Sequence, residues 1–361
     1  MRVGILSYPM LFQREGGLQI QVRATIEALN RTGARCGTQL EVELVDPCHC
    51  ALDEYDLIHV FAAINGNHRI VEAATELGVP VVLSPLISPG WNRSSGNCAR
   101  VADRLLGKLT AWNVQTSYAQ TRSALQLASL VVALGDAEKQ AIEAAFLIEP
   151  RKIRVFPNGI GPHFFKADGA LFRERTGMEG PFVLMVGAIS AYKNQLGMAR
   201  ALSELALPFV LIGHAQERDQ DYLRQVRAVR GVTCMGPLEH GDPLLASAYA
   251  AAAVFVLPSQ GEVFPLTVLE ALASGTPVVM TSESALSLPD SDFALKTVRW
   301  DDPAAQQRAV TELIGAPPER ALVRSLVAGF TWERVAGQIA ACYQELLAAR
   351  PARRSGGRLV V

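Results

Sequence analysis

The chain has 361 residues, with 34 lysines and arginines against 35 aspartates and glutamates, for a formal net charge of −1. This length favours two domains at roughly 150 residues each, and a composition that is 49% hydrophobic and 19% charged excludes a disordered chain. The charge balance argues against a nucleic-acid-binding protein, and no apolar stretch approaches the roughly 18 residues that a membrane span needs. Six scattered cysteines indicate no disulfide framework, so we expect a cytoplasmic protein.

Short apolar runs alternate with helical patterns along the chain. The runs are nearly continuous in Val, Ile and Leu, which is typical of parallel strands buried on both faces. Predicted strands are Arg2–Ser7, Glu41–Asp46, Leu57–Phe61, Pro80–Leu83, Leu130–Ala133, Ile153–Pro157, Phe182–Gly187, Phe209–Ile212, Val232–Met235, Val254–Leu257, Pro277–Thr281 and Phe293–Lys296. Predicted helices between them include Gln21–Arg31, Ile70–Leu77, Ala137–Phe146, Gln195–Leu205 and Gln220–Arg230. This repetition predicts an α/β fold made of two Rossmann-like, doubly wound domains that face a central cleft.

The strand rhythm breaks at residues 165–180, a polar stretch that contains glycine. We therefore place the first domain at residues 1–168 and the second at residues 169–331. A last helix, Trp332–Ala349, has apolar residues at helical spacing and is predicted to pack back across the first domain, which it joins as residues 332–350. Residues 351–361 are predicted to form a flexible tail.

Two carboxylates lie at a fixed spacing after the strand Val254–Leu257. Glu262 falls in the loop, and Glu270 lies about one and a half turns into a helix that starts near Pro265. Free N–H groups at a helix start attract phosphate, and carboxylates accept hydrogen bonds from sugar hydroxyls, so the pattern suits a sugar nucleotide. The spacing alone rather favours a loop and helix with one solvated and one salt-bridged glutamate.

Two further loops follow the first strand of each domain. Lys193, after the strand Phe182–Gly187, carries a compact charge that suits a diphosphate, although a surface lysine would look the same. Gly16 and Gly17, after the strand Arg2–Ser7, let the backbone approach a ligand closely, although any tight turn could use them.

The segment from Glu262 to Glu270, with LPS before it and EALASGTPVV after it, resembles the E-x₇-E motif of retaining glycosyltransferases of the GT-B fold, family 4. The resemblance extends over roughly residues 1–345 and is densest from 181 to 280. It implies that Glu262 and Lys193 are catalytic, with Glu262 on the donor sugar and Lys193 on the leaving diphosphate, and that Glu270 holds the ribose. The donor-binding residues that it implies are Gly16, Gly17, Lys193, Gly213, Leu238, Val263, Phe264, Pro265, Leu266 and Glu270.

Two positions depart from the family pattern. Ala188 stands where the family has an arginine on the diphosphate, and Leu86 marks a place where many members have a histidine. His59, on a strand similar to the family's D-x-x-H strand, could reach the cleft instead, and we assign it a catalytic role. The alternative for His59 is a packed structural histidine.

A basic, partly amphipathic helix carries Arg100, Arg104 and Lys108 and is followed by Trp112. The resemblance implies peripheral contact of these residues with the inner face of a membrane, through apolar burial and attraction to anionic lipid. The alternative is a solvated helix face.

The resemblance implies a metal-independent, retaining hexosyltransferase. It would move a sugar from a nucleotide-sugar donor to a hydroxyl of a sugar or lipid-linked acceptor in cell-surface polysaccharide or glycolipid assembly. The nucleotide sugar is a co-substrate, and no metal or other cofactor is expected.

Three different functions would also suit a two-domain α/β chain. One is a non-catalytic GT-B-like subunit that binds a nucleotide sugar or supports a partner transferase, which the departures at Ala188 and Leu86 favour. Another is a phosphorylase or an epimerase of the same fold. The third is a two-domain dehydrogenase, but it needs a G-x-G-x-x-G motif, which residues 7–17 do not supply.

Overall fold

The computed structural model describes residues 1–13, 16–36, 39–88, 90–111 and 114–349. This part of the chain contains two six-stranded sheets, and every strand pair in them is parallel. The first has the order β2-β1-β3-β4-β5-β6, with β1 Arg2–Leu6, β2 Glu41–Leu44, β3 Leu57–Phe61, β4 Val81–Ser84, β5 Leu130–Ala133 and β6 Ile153–Val155. The second has the order β12-β11-β10-β7-β8-β9, with β7 Val183–Val186, β8 Phe209–Ile212, β9 Val232–Gly236, β10 Val254–Leu257, β11 Val278–Thr281 and β12 Leu295–Val298.

Helices connect most of the consecutive parallel strands, as crossover connections require, but β2 leads to β3 through a short 3-10 turn at Leu52–Glu54 and β11 leads to β12 through a loop. Most of the regular structure outside the sheets consists of α-helices. In the described residues they are α1 Gly17–Cys36, α2 Asn67–Glu76, α3 Arg93–Leu109, α4 Ser117–Leu127, α5 Asp136–Phe146, α6 Pro162–Phe165, α7 Ala170–Thr176, α8 Gln195–Glu204, α9 Gln220–Arg227, α10 Pro243–Ala251, α11 Leu266–Ala273, α12 Pro303–Gly315, α13 Arg320–Ser325 and α14 Trp332–Ala348. The predicted α/β class with two doubly wound sheets is confirmed.

The core follows from the apolar runs. Residues of α1 and α14 pack on one face of the first sheet, and residues of α2, α4 and α5 pack on the other face. One large cluster fills the second domain and already includes Phe164, four residues ahead of the boundary predicted at residue 168. Because α14 packs against α1, the end of the described chain crosses back to the first domain as predicted.

The chain passes between the domains twice, and the two passages lie side by side. Ile160 forms a parallel bridge with Thr331, and its N–H donates to the carbonyl of Phe330 at 2.7 Å. A β-carbon at Gly159 would collide with Trp332, so glycine is required where these passages meet the start of α14.

Candidate functional site

The topology marks one place in each sheet where a ligand is favoured. In the second sheet the strand order reverses between β10 and β7, and the loops after these strands carry Glu262 and Lys193. In the first sheet the order reverses between β1 and β3, and the connection after β1 leads to Gly16 and Gly17. Ligands of doubly wound sheets bind outside the carboxyl ends of the strands at such a reversal. The predicted site residues therefore lie where the fold itself favours binding.

Lys193 and Glu262 form an ion pair. The Nζ atom of Lys193 lies 2.5 Å from Oε1 of Glu262, with the two side chains 24% and 13% exposed. The turn that carries Lys193 is fixed to the opposite loop, since the Tyr192 hydroxyl donates to the Gly261 carbonyl at 2.7 Å and the Gln260 N–H donates to the Tyr192 carbonyl at 2.9 Å. The structure thus brings two predicted residues of opposite charge together.

The backbone of Glu262 is held by the loop after β11. Its N–H donates to the Glu283 carbonyl at 2.8 Å, and the Ala285 N–H donates to the carbonyls of Glu262 and Val263 at 3.3 and 3.1 Å. The main chain here is therefore fixed on both sides, so only the Glu262 side chain is free to change partner.

The start of α11 faces the first domain. Pro265 is the residue just before the helix rather than part of its first turn, and Leu266 begins the helix with only 8% of its surface exposed. A β-carbon at Gly17 would lie 3.9 Å from Cδ1 of Leu266, whereas no described atom lies within 4 Å of one at Gly16. The glycine pair thus borders the helix start across the domain boundary, and no described residue packs against Gly16. Arg14 and Glu15, which precede the pair, lie outside the described residues.

Asn158 makes a contact that the sequence does not predict. Its side-chain amide is buried and donates to the carbonyl of Phe264 at 3.1 Å, so a turn of the first domain holds the loop that precedes α11. The P-N-G sequence at 157–159 is typical of a turn, but nothing local indicates that its asparagine reaches a residue 106 positions away.

Glu270 is almost fully enclosed. Its side chain is 4% exposed, Nε2 of His240 donates to Oε1 at 2.7 Å, and the Tyr249 hydroxyl donates to Oε2 at 2.9 Å. Burial opposes the charge on His240, but the hydrogen bond and negative charge of Glu270 outweigh it and raise the pKa of His240. Neither partner was predicted, because a histidine in a loop and a tyrosine on an apolar helix carry no sequence signal for this contact. The role of Glu270 toward a ribose stays a prediction.

The strand-end turns have the close packing that their glycines suggest. Gly213 has φ +158°, and a β-carbon there would collide with the carbonyl oxygen of Gly187, so only glycine fits where β7 and β8 end. Ala188 is exposed beside this turn, and its carbonyl accepts from the Gln195 side chain at 2.8 Å. Leu238 is half-buried against the core of the second domain. The donor contacts of Gly213 and Leu238 stay predictions.

The catalytic assignment of His59 is wrong on structural grounds. His59 is the central residue of β3 and is 0% exposed, with Nδ1 2.6 Å from the Tyr343 hydroxyl and Nε2 2.9 Å from Oγ of Ser84. Burial lowers the pKa of His59 to about 3, so the ring is neutral. Both nitrogens have partners inside the first domain, and no face of the ring is available to a ligand. His59 is therefore the packed structural histidine that the sequence left open.

The basic helix α3 is only partly as expected. The Arg100 guanidinium turns inward and donates to the Ala145 carbonyl at 2.6 Å and to the Tyr118 hydroxyl at 3.0 Å, so Arg100 is not available to a membrane. Trp112 lies outside the described residues. The exposed side of the helix combines Val101, Leu105 and Leu109 with Arg104 and Lys108.

The described residues contain neither a metal-binding cluster nor a membrane-spanning helix. No group of three or more His, Cys, Asp or Glu side chains in them could hold a metal ion. None of the helices described is long and apolar enough to cross a bilayer.

Comparison with known proteins fits this geometry. Residues 180–316 match the family model described as glycosyl transferases group 1. The D-inositol 3-phosphate glycosyltransferase of Acidothermus cellulolyticus is 31% identical over 56% of this chain and 50% of its own length. The MMP alpha-(1->4)-mannosyltransferase of Mycolicibacterium hassiacum is 26% identical over 63% of this chain and 57% of its own length. The chain spans about half the length of the curated relatives that it matches first.

Solved structures agree over nearly the whole chain. Anabaena Alr3699/HepE in complex with UDP has a TM-score of 0.67 at 18% identity, covering 96% of this chain and 100% of the other. Sucrose-phosphate synthase from Thermosynechococcus elongatus has a TM-score of 0.71 at 20% identity, covering 97% and 100%. The fold is therefore that of the GT-B glycosyltransferases, as predicted, and the family match lies within the second domain.

Proposed function

We propose that this protein is a glycosyltransferase that moves a sugar from a nucleotide-sugar donor to an acceptor hydroxyl. The observation that carries the proposal is the Lys193–Glu262 ion pair at the carboxyl ends of β7 and β10, within the segment that matches the glycosyl transferases group 1 model. The pair supplies one cation for a diphosphate and one carboxylate for a sugar hydroxyl. The complex of Alr3699/HepE with UDP supports a nucleotide as the donor's leaving group.

Donor binding would separate the ion pair. Lys193 would turn to the diphosphate, and Glu262 would accept a hydrogen bond from the sugar near its reacting carbon. The bond between that carbon and the phosphate oxygen would break as the acceptor oxygen bonds to the carbon. The bonding electrons would stay on the diphosphate, which gains negative charge and would take up the proton that the acceptor hydroxyl gives up. Lys193 and the N–H groups at the start of α11 would stabilise this charge. Asn158 would keep the loop before α11 in place.

The finer features of the proposal come from the family 4 resemblance. They are retention of configuration at the reacting carbon, independence of a metal ion and a role in polysaccharide or glycolipid assembly. An acceptor linked to lipid would bring the protein to a membrane surface, and the exposed apolar and basic side of α3 suits such contact. Sedimentation with vesicles of anionic and of zwitterionic lipid tests this contact; we expect binding to the anionic vesicles alone and its loss in a Leu105→Glu, Leu109→Glu variant.

The decisive experiment measures the donor directly. We expect one member of a panel of UDP-, GDP-, dTDP- and ADP-sugars to raise the unfolding temperature, because a ligand well above its dissociation constant stabilises the native state. Release of the nucleoside diphosphate on addition of an acceptor would establish transfer. Absence of any shift across the panel would contradict the proposal.

A second candidate is a non-catalytic subunit that binds a nucleotide sugar. The exposed Ala188 favours it, because the family's second cation on the diphosphate is missing and the remaining one is neutralised by Glu262. The same panel separates the two functions, since a binding subunit shows the shift in unfolding temperature without release of nucleoside diphosphate.

A further inference from the structure

The cluster around Glu270 contains two side chains that the proposed reaction does not use. His240 lies in the loop between β9 and α10, and Tyr249 lies on α10 with its side chain fully buried. Each donates to a different carboxylate oxygen of Glu270, at 2.7 and 2.9 Å. A carboxylate that is 4% exposed with both oxygens engaged presents almost no surface to a ligand.

Tyr249 and His240 differ in how easily each can give up its hydrogen bond to Glu270. Tyr249 is fully buried, so its ring is held in place and its hydroxyl stays bonded to Oε2. The His240 side chain is 29% exposed and lies on a loop, so the bond to Oε1 is the one that a ligand can exchange.

We propose that His240 is a positioning residue that competes with the ribose hydroxyls of the donor for Oε1 of Glu270. This inference rests on the proposed function, because it takes Glu270 as the ribose-binding carboxylate. Tyr249 holds the carboxylate in place, and nucleotide binding displaces the imidazole from Oε1.

The charge on His240 then sets the strength of the competition. A protonated imidazole makes a charge-assisted hydrogen bond to the carboxylate, roughly twice as strong as a neutral one. The groups that face His240 are Glu270 from α11 and His163 from α6, whose ring centre is 6.0 Å away. On its own loop Glu239 and Asp242 flank it, and the side chain of Asp242 accepts from the Leu244 N–H at 2.8 Å. Glu270 is thus the one carboxylate that binds the ring within the described residues.

Burial opposes the charge on His240, but Glu270 raises its pKa above the ordinary value of 6.5. The protonated form therefore persists above pH 6.5 in the free protein, and nucleotide must displace it there. Nucleotide affinity should rise as the pH rises through this range and the imidazole loses its proton.

Calorimetric titration of UDP, GDP, ADP and dTDP at pH 5.5 and 8.0 tests the proposal. We compare the wild type with His240→Gln, whose amide donates to Glu270 at every pH, and with His49→Gln, which alters an exposed histidine of the first domain. The nucleotide's own phosphate titrates near pH 6, so the quantity of interest is the affinity ratio between proteins at each pH. We expect the wild-type affinity to rise roughly fivefold relative to His240→Gln between the two pH values, and His49→Gln to follow the wild type.

The free energy of unfolding, measured without nucleotide, shows whether His240→Gln is folded and tests the charge on His240 separately. Because the pKa of His240 is higher in the folded than in the unfolded protein, its stabilisation is complete below pH 6.5 and is lost as the pH rises through the folded value. The free energy of unfolding of the wild type should therefore fall relative to His240→Gln above pH 6.5. Nucleotide binding with the same pH dependence in both proteins would overturn this inference alone. Absence of binding by all four nucleotides would overturn the proposed function together with it.

Discussion

Each domain holds a histidine close to a tyrosine, but the two histidines have opposite acid–base properties. In the first domain His59 bonds the Tyr343 and Ser84 hydroxyls, and burial lowers its pKa to about 3. In the second domain His240 bonds Glu270, and its pKa is raised despite burial. The difference comes from the Glu270 carboxylate. Burial disfavours the charged form of both histidines, but only in the second domain does a carboxylate compensate for this cost.

The two histidines illustrate a wider contrast between a neutral, buried network in the first domain and charged, partly exposed groups in the second. A neutral imidazole that donates with one nitrogen and accepts with the other satisfies two hydroxyls and stays inside the protein. Lys193 and Glu262 are charged and only partly enclosed, and under the proposed function each exchanges the other for the donor. Changes in the first domain's network should therefore affect folding, and changes in the second domain's charged groups should affect binding and transfer.

The largest expected effect is on transfer. Glu262→Gln keeps the size of the side chain but removes its charge, and we expect the transfer rate to fall about 1000-fold with unchanged circular dichroism. The matched control is Glu283→Gln, whose exposed side chain lies on the neighbouring loop and whose backbone carbonyl holds Glu262. Normal turnover by Glu262→Gln would remove the basis of the assignment.

The next effect is on stability alone. His59→Ala leaves the Ser84 and Tyr343 hydroxyls without partners and opens a cavity, so the free energy of unfolding should fall by about 3 kcal/mol. Urea denaturation measures this loss, with the exposed His49→Gln as the control. The rate of transfer per folded molecule should be unchanged, and a specific loss of rate would restore a catalytic role to His59.

A smaller effect, on donor affinity, is expected from changing Lys193. If Lys193 binds the diphosphate as proposed, Lys193→Ala removes one charge-assisted hydrogen bond to it, and donor binding should weaken by about tenfold in a calorimetric titration. Lys296→Ala is the matched control, since Lys296 pairs with Glu312 on the surface of the same domain. Equal affinities of the Lys193 and Lys296 variants would show that other groups bind the diphosphate.

The smallest effect is a dependence on pH that distinguishes the two histidines. His59 stays neutral in the folded protein down to about pH 3 but takes up a proton below pH 6.5 when unfolded, so protons favour unfolding. The wild type should lose about 1 kcal/mol relative to His59→Ala between pH 6.5 and 5.5. Glu138, whose pKa burial raises to about 7, is present in both proteins and cancels in the difference. If the stability advantage of the wild type over His59→Ala grew on acidification, the neutral state of His59 would be contradicted.

Most of the fold could be predicted because continuous apolar runs specify buried parallel strands. Four strands, Leu57–Phe61, Leu130–Ala133, Phe209–Ile212 and Val254–Leu257, lie where the sequence places them. The last strand begins two residues later than its apolar run predicts, since Phe293 stays 41% exposed and pairing with β11 begins at Leu295.

The site was less accessible to sequence reasoning. Lys193 and Glu262 can be found because each lies in a recognisable loop, and the fold brings the loops together. The partner of His59 is Tyr343, which lies 284 residues further along the chain. The side chain of Asn158 bonds the Phe264 carbonyl, which lies 106 residues away. No local periodicity reports such contacts, which depend on how whole domains pack.

The return of α14 to the first domain has a consequence for the order of folding. Apart from Leu134, the buried core of the second domain lies within the continuous segment from Ile160 to Val327, so this core can form as that segment leaves the ribosome. The first domain is synthesised earlier, yet Tyr343 and the rest of α14 complete its core. Until those last turns of helix arrive, His59 has an unfinished hydrogen-bond network and one face of the first sheet lacks part of its cover. The amino-terminal half must therefore wait for the carboxyl-terminal half before it reaches its native state.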